Sequence, residues 1–247
     1  REDVEEMVGN LLDNACKWSR GKIAVTMVAE RHPNAQMLLG QMYALGEGVD
    51  QDLGSAATCF REAAEQDNGD AQMLLGLMYA SGEGVPRDDG KAVEWIRLAA
   101  EKGYPDAQMF LAQMYSTGGG LSHDASQAVQ WMRRAAENGS IIAQNNLGYA
   151  YANGEGVPKD FTEAAKWYRE AAEQGNAVAQ YNLGLAYAKG HGVLQDPVLA
   201  TMWLTLSANR GYADSAHVKS QSAGAIPETH SAVAEEMARN WKPRSGQ

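Results

Sequence analysis

"AQMLLGQMYALGEGV", residues 35–49, returns as "AQMLLGLMYASGEGV" at 71–85 and "AQMFLAQMYSTGGGL" at 107–121, then as "AQNNLGYAYANGEGV" at 143–157 and "AQYNLGLAYAKGHGV" at 179–193, each step being 36 residues. A second string keeps the same register: "SAATCFREAA", "KAVEWIRLAA", "QAVQWMRRAA", "EAAKWYREAA" and a weaker "LATMWLTLSA" ending at Ala208. Self-similarity at this period is the signature of stacked supersecondary units. Within the first string Ala35, Leu38, Leu39 and Met42 or Tyr43 recur at steps of three and four, which is one stripe of a helix. The glycines at 46, 82, 118, 154 and 190 then close that helix, since they can adopt the left-handed conformation. Asp52, Asp88, Asp124, Asp160 and Asp196 follow at fixed register as caps for a second helix. Each unit is therefore two helices. The chain is expected to be all-α, a right-handed α-solenoid of about five helix-turn-helix repeats over residues 31–210.

Small residues support close helix contact: Gly40, Gly76, Ala112, Gly148 and Gly184 on the first helix, with Ala56, Ala92, Ala128, Ala164 and Ala200 on the second. Trp95, Trp131, Trp167 and Trp203 recur on the second helix and are expected to wedge between neighbours, with Cys59 standing in that place in the first repeat. Met42, Met78 and Met114 are open between core filler and part of an adaptable apolar track.

The pattern A-x-x-x-L-G-x-x-Y-x-x-G-x-G-V, followed by D-x-x-x-A-x-x-W-x-x-x-A-A, resembles the Sel1-like repeat, a longer-looped relative of the tetratricopeptide repeat. The polar segment "PETHSAVAEEMARNW" resembles the closing helix of that family, and residues 211–247 are expected to form the carboxy-terminal cap. The resemblance implies scaffolding: docking of a protein or peptide in a bacterial signalling, envelope or host-interaction setting, with no catalytic residues in the repeats and no cofactor.

Residues 1–30 read differently. "EEMVGNLLDNACKW" resembles the N-box helix of bacterial sensor histidine kinases, and the resemblance places Glu6, Asn10 and Asn14 at nucleotide- and magnesium-facing positions on one helix face. The later parts of such a site, a D-x-G-x-G box and a second glycine-rich lid, do not occur. The stretch is therefore expected to be a vestigial fragment, or an amphipathic amino-terminal cap carrying Met7, Val8, Leu11 and Leu12. A residual nucleotide-binding or kinase-linked protein is the alternative to the docking module.

Composition narrows the classes further. With 21 basic against 31 acidic residues and a net charge of −10, the chain is a poor match for nucleic acid or an anionic membrane as main partner. No apolar run suits a membrane span. Two cysteines are too few for a disulfide framework, and the five histidines share neither repeat register nor metal spacing. His191 reads as a solvated loop residue replacing the Glu of the other "GEG" loops. A chain starting at Arg1 is expected to be a processed or trimmed product. The compartment stays open between bacterial cytoplasm and periplasm.

Alignment with the Leu, Gly and Tyr positions of tetratricopeptide repeats implies which first-helix positions face a concave groove. One row is Met37, Met73, Met109, Asn145 and Tyr181; the other is Gln41, Leu77, Gln113, Tyr149 and Leu185. Beside them stand Leu38, Leu74, Phe110, Asn146 and Asn182, a position at which Asn contacts bound peptide backbone in the related family. Repeats one to three thus offer an adaptable apolar track. Repeats four and five offer amides and phenols suited to peptide groups. Arg133 is expected on the opposite, convex side.

Overall fold

The computed structural model describes residues 32–215, 218 and 227–244. Among them every regular element is an α-helix. The chain divides into two compact units, one running to His123 and the other starting at Asp124. The first unit holds α1 (Pro33–Leu45), α2 (Leu53–Glu65), α3 (Gly69–Ser81), α4 (Asp89–Glu101) and α5 (Pro105–Thr117). The second holds α6 (Ala125–Glu137), α7 (Ile141–Asn153), α8 (Phe161–Glu173), α9 (Ala177–Lys189), α10 (Pro197–Asn209) and α11 (Glu228–Asn240). Within each unit every helix packs on the next, as stacked hairpins do.

The helix boundaries follow from local chemistry. Each of the five register aspartates accepts backbone N–H bonds at the start of a second helix, Asp160 from Thr162 and Glu163 for example. The first helices start on Asn68, Ser140 and Asn176 side chains, or on Pro33 and Pro105, whose missing N–H costs nothing in the first turn. At the far end Gly154, with φ of 80°, donates to the Ala150 carbonyl, and the same left-handed closure recurs at the corresponding glycine of every repeat. Helix–helix contact is as close as the small residues suggest: a Cβ on Gly148 would sit 2.7 Å from the Tyr168 ring.

The cores are built from the repeated alanines and one leucine per repeat, Leu75, Leu111, Leu147 and Leu183 being fully enclosed. Of the tryptophans, Trp131, Trp167 and Trp203 are buried, whereas Trp95 and its counterpart Cys59 are only half-buried. Met78 and Met114 fill the core and Met42 is half-buried. The weakest copy of the second string, α10, is buried without a break over residues 200–207, since it lies between α9 and α11. The edge-on pair Trp203–Trp241, with centroids 6.1 Å apart, helps seat the closing segment. On α11 only Ala234 and Ala238 are buried, which leaves a polar outer face. Glu6, Asn10, Asn14 and the rest of the kinase-like stretch lie outside the described residues.

Two polar ladders join neighbouring repeats. Gln72, Gln108, Gln144 and Gln180 are buried, and each amide nitrogen donates to the carbonyl of Ala64, Ala100, Ala136 or Ala172 at the end of the preceding helix. Arg61, Arg97, Arg133 and Arg169 donate to the hydroxyls of Tyr79, Tyr115, Tyr151 and Tyr187, eighteen residues on. Arg133 is therefore half-buried and holds the next repeat, which disqualifies it as a neutral surface position.

Candidate partner-binding groove

Each unit carries a groove at the same place in the repeat. In the first unit a groove of about 640 Å³ lies where α1, α2 and α3 meet, with Phe110 of α5 closing one side. In the second unit a cavity of about 280 Å³ lies where α7, α8 and α9 meet. Much of the two linings corresponds, three repeats apart. Leu45 becomes Asn153, Leu53 becomes Phe161, Phe60 becomes Tyr168, and Leu74 becomes Asn182. Ser81 becomes Lys189, and Glu83 becomes His191. Leu77 and Leu185 are the shared leucines.

Helix ends place these groups. The lining of each groove comes from the last two turns of the first helices and from the loop and first turns of the second helix. Glycine closure exposes the final side chain of the first helix, Ser81 or Lys189, beside the loop. In the first unit the exposed Leu45, 66% accessible, rims an apolar hollow. In the second, the ring of Phe161 stacks on His191 with centroids 4.4 Å apart, and the Lys159 ammonium lies 4.7 Å from the Phe161 centroid. Burial pushes the Tyr168 phenol up to about 12, with Tyr149 adding to the shift. It stays a neutral wall.

Of the expected groove residues, Gln41, Leu77, Leu74 and Phe110 come together in the first unit, and Asn182 and Leu185 in the second. Met37, Met73 and Met109 are half-buried and do not line the hollow, although Leu74 and Phe110 next to Met73 and Met109 do, and the half-buried Leu38 does not line it either. Gln113 is exposed, as is Tyr149 at 53%. Asn145, Asn146 and Asn182 form a chain: the Asn182 amide donates to the Asn145 oxygen at 3.2 Å, and the Asn145 amide to the Asn146 oxygen at 3.4 Å. Tyr181 packs on Tyr212 with centroids 5.1 Å apart, and burial raises its pKa, helped by Asp214 and Tyr212.

Lys159 and Lys189 escaped the sequence reading, and His191 was read only as a solvated loop residue, because loop and helix-end positions vary between repeats and no periodicity marks them. The signal was there in another form: replacing Glu83 by His191 and Ser81 by Lys189 at one register changes local charge in one direction. The arginine and tyrosine ladder was also legible as a constant separation.

Among the described residues no group of three or more His, Cys, Asp or Glu could hold a metal ion, and no helix is long and apolar enough to cross a membrane. Burial pushes the half-buried Cys59 thiol up to about 11, Glu62 adding to it, which leaves it protonated and unreactive at neutral pH. The arrangement offers shape, amides and a local positive charge, which suits recognition.

The model of the Sel1 repeat matches this chain five times in succession, at residues 33–68, 69–104, 105–140, 141–176 and 177–212. The matched region starts at residue 33 and lends nothing to the kinase resemblance before it. No curated protein matches the chain. Among solved structures, a Sel1 repeat protein from Oxalobacter formigenes is 34% identical with a TM-score of 0.78, covering 96% of this chain and 99% of its own. A protective antigen of uropathogenic Escherichia coli strains, displaying an SLR fold, is also 34% identical, with a TM-score of 0.76 over 84% of this chain. This chain spans 45% of that antigen's length.

Proposed function

Since the chain belongs to the Sel1 repeat family, whose members are generally protein-interaction scaffolds, we propose that it is a non-catalytic adaptor that docks a protein or peptide segment along the grooves of its repeats. The observation that carries the reading is the pair of equivalent hollows with opposite linings, leucine-rich in the first unit and amide- and lysine-lined in the second. A solenoid whose only task was to stack would not need to vary those positions while keeping Leu39, Leu75, Leu111, Leu147 and Leu183 in the core. The apolar hollow suits a large aliphatic or aromatic side chain. The Asn145, Asn146 and Asn182 chain suits the peptide groups of an extended segment, because an amide both donates and accepts.

The test is selection of displayed random peptides on the full chain, followed by fluorescence anisotropy with a selected peptide. Leu77→Glu and Asn182→Ala are each expected to weaken binding by about tenfold, through a buried charge or an unpaired peptide group. The exposed Gln130→Ala is expected to match the parent. Failure to select any peptide, or equal binding by all the variants, would overturn the reading.

A further inference from the structure

Three lysines elsewhere on the repeats have local counter-charges. Lys91 pairs with Asp88 at 3.6 Å, Lys166 with Glu163 at 3.6 Å, and Lys102 with Asp67. Lys159 and Lys189 line one cavity and have no carboxylate partner among the described residues. They do so on a chain of net charge −10. The Lys159 ammonium lies over the Phe161 ring and neither lysine is neutralised, so the lining presents two positive charges that a negative ligand would complement.

We propose that this cavity of the second unit receives the carboxylate of an acidic side chain, Asp or Glu, from a segment running along the repeats. The inference rests on the docking reading and adds the ligand chemistry of one subsite. Lys159 and Lys189 supply the charge, and the Asn182 amide supplies a donor within the same lining. The Phe161–His191 stack walls the apolar stem of the side chain. At about 280 Å³ the cavity has room for one such side chain but not for a bulky headgroup. An internal side chain is favoured over a chain terminus because the amide chain ending at Asn182 continues past the cavity to Asn145 and Asn146. The first unit provides the contrast: Ser81 stands at the place of Lys189 and Glu83 at that of His191, so no lysine lines that hollow and a ligand carboxylate would meet a like charge.

The probes are N-acetyl-glutamate N-methylamide, its glutamine counterpart, N-acetyl-alanine with a free terminal carboxylate, and inorganic phosphate, each titrated into the full chain. The readout is the amide signals of Asn153 and Asn182 in nitrogen–proton correlation spectra. Blocked glutamate is expected to shift them saturably and to weaken with added salt. Lys189→Met and Lys159→Met, both at exposed positions, are each expected to reduce affinity about tenfold, the equivalent of 1.4 kcal/mol, while Lys189→Arg retains most of it. Equal shifts with glutamine, tighter binding of N-acetyl-alanine or of phosphate, or undiminished binding in both methionine variants would overturn the proposal. Binding of blocked glutamate with no selectable peptide would sink the docking reading and leave the site standing. Selectable peptides without glutamate binding would do the reverse.

Discussion

Arg169 donates a hydrogen bond to the hydroxyl of Tyr187 at 2.8 Å, and the two residues belong to successive repeats. Arg61 with Tyr79 and Arg97 with Tyr115, both at 3.2 Å, repeat the relationship. Each pair ties a second helix to the first helix of the next unit, so the ladder acts on repeat stacking and not on the hairpin itself. Tyr79 is buried at 7% accessibility, and removing its hydroxyl leaves a charged donor short of one partner. Tyr79→Phe is expected to cost about 1 kcal/mol in urea unfolding. In a double-mutant cycle, Arg61→Ala is expected to be non-additive with it by about 0.5 kcal/mol or more. Strict additivity would show that the bond carries no stability.

From the second repeat onward, the second glycine of the loop rests on the preceding repeat. A Cβ on Gly156, whose φ is 69°, would run into the Ala125 carbonyl, whereas one on Gly139, at φ of 90°, meets nothing within 4 Å. Gly139→Ala therefore carries backbone strain alone, about 1–2 kcal/mol. Gly156→Ala adds a steric clash with fixed backbone and is expected to exceed it by at least about 1 kcal/mol. Equal melting temperatures for the two variants would remove the loop-on-repeat contact from the account.

Burial separates the tryptophans. Trp131→Ala truncates a ring that is 7% accessible and is expected to cost about 3–5 kcal/mol. Trp95→Ala acts on a half-buried ring and is expected to cost no more than about half of that. Denaturant midpoints for the two variants check the ranking, and a larger loss at Trp95 would contradict the observed burial.

Alkaline pH probes the wall of the second cavity. Because burial raises the Tyr168 phenol to about 12 in the folded chain, the native state holds that proton more tightly than the unfolded state does. The contribution is intact below about pH 10, the unfolded value, and is lost as pH climbs through the folded value. Thermal stability is therefore expected to fall between pH 10 and 12, and less steeply in Tyr168→Phe. Parallel profiles for parent and variant would show that the phenol is not shielded.

The repeat period, the helix pairs and their boundaries were open to reading in the linear chain because they rest on short-range chemistry. An aspartate caps amides two or three residues ahead, and a glycine closes a helix where it stands. Such interactions repeat whenever the residues do. The leucine in every first helix was equally legible, since a 3.6-residue period selects one face regardless of what covers it. Relations across repeats were not. Gln72, Gln108, Gln144 and Gln180 looked like polar helix residues, and only stacking puts them beside a helix end from the preceding repeat that lies in reach of their amides. The groove divides in the same way. The tetratricopeptide resemblance brought out Leu77, Asn182 and Leu185 as candidates, but Met37, Met73 and Met109, chosen from the same alignment, are not among the residues that line the hollow. Lys159, Lys189 and Phe161 became one site because a loop, a helix end and a helix start from two repeats converge there. Local capping and periodicity are properties of a dozen consecutive residues, whereas a cavity is a property of backbone segments that sequence order keeps apart and only packing brings together.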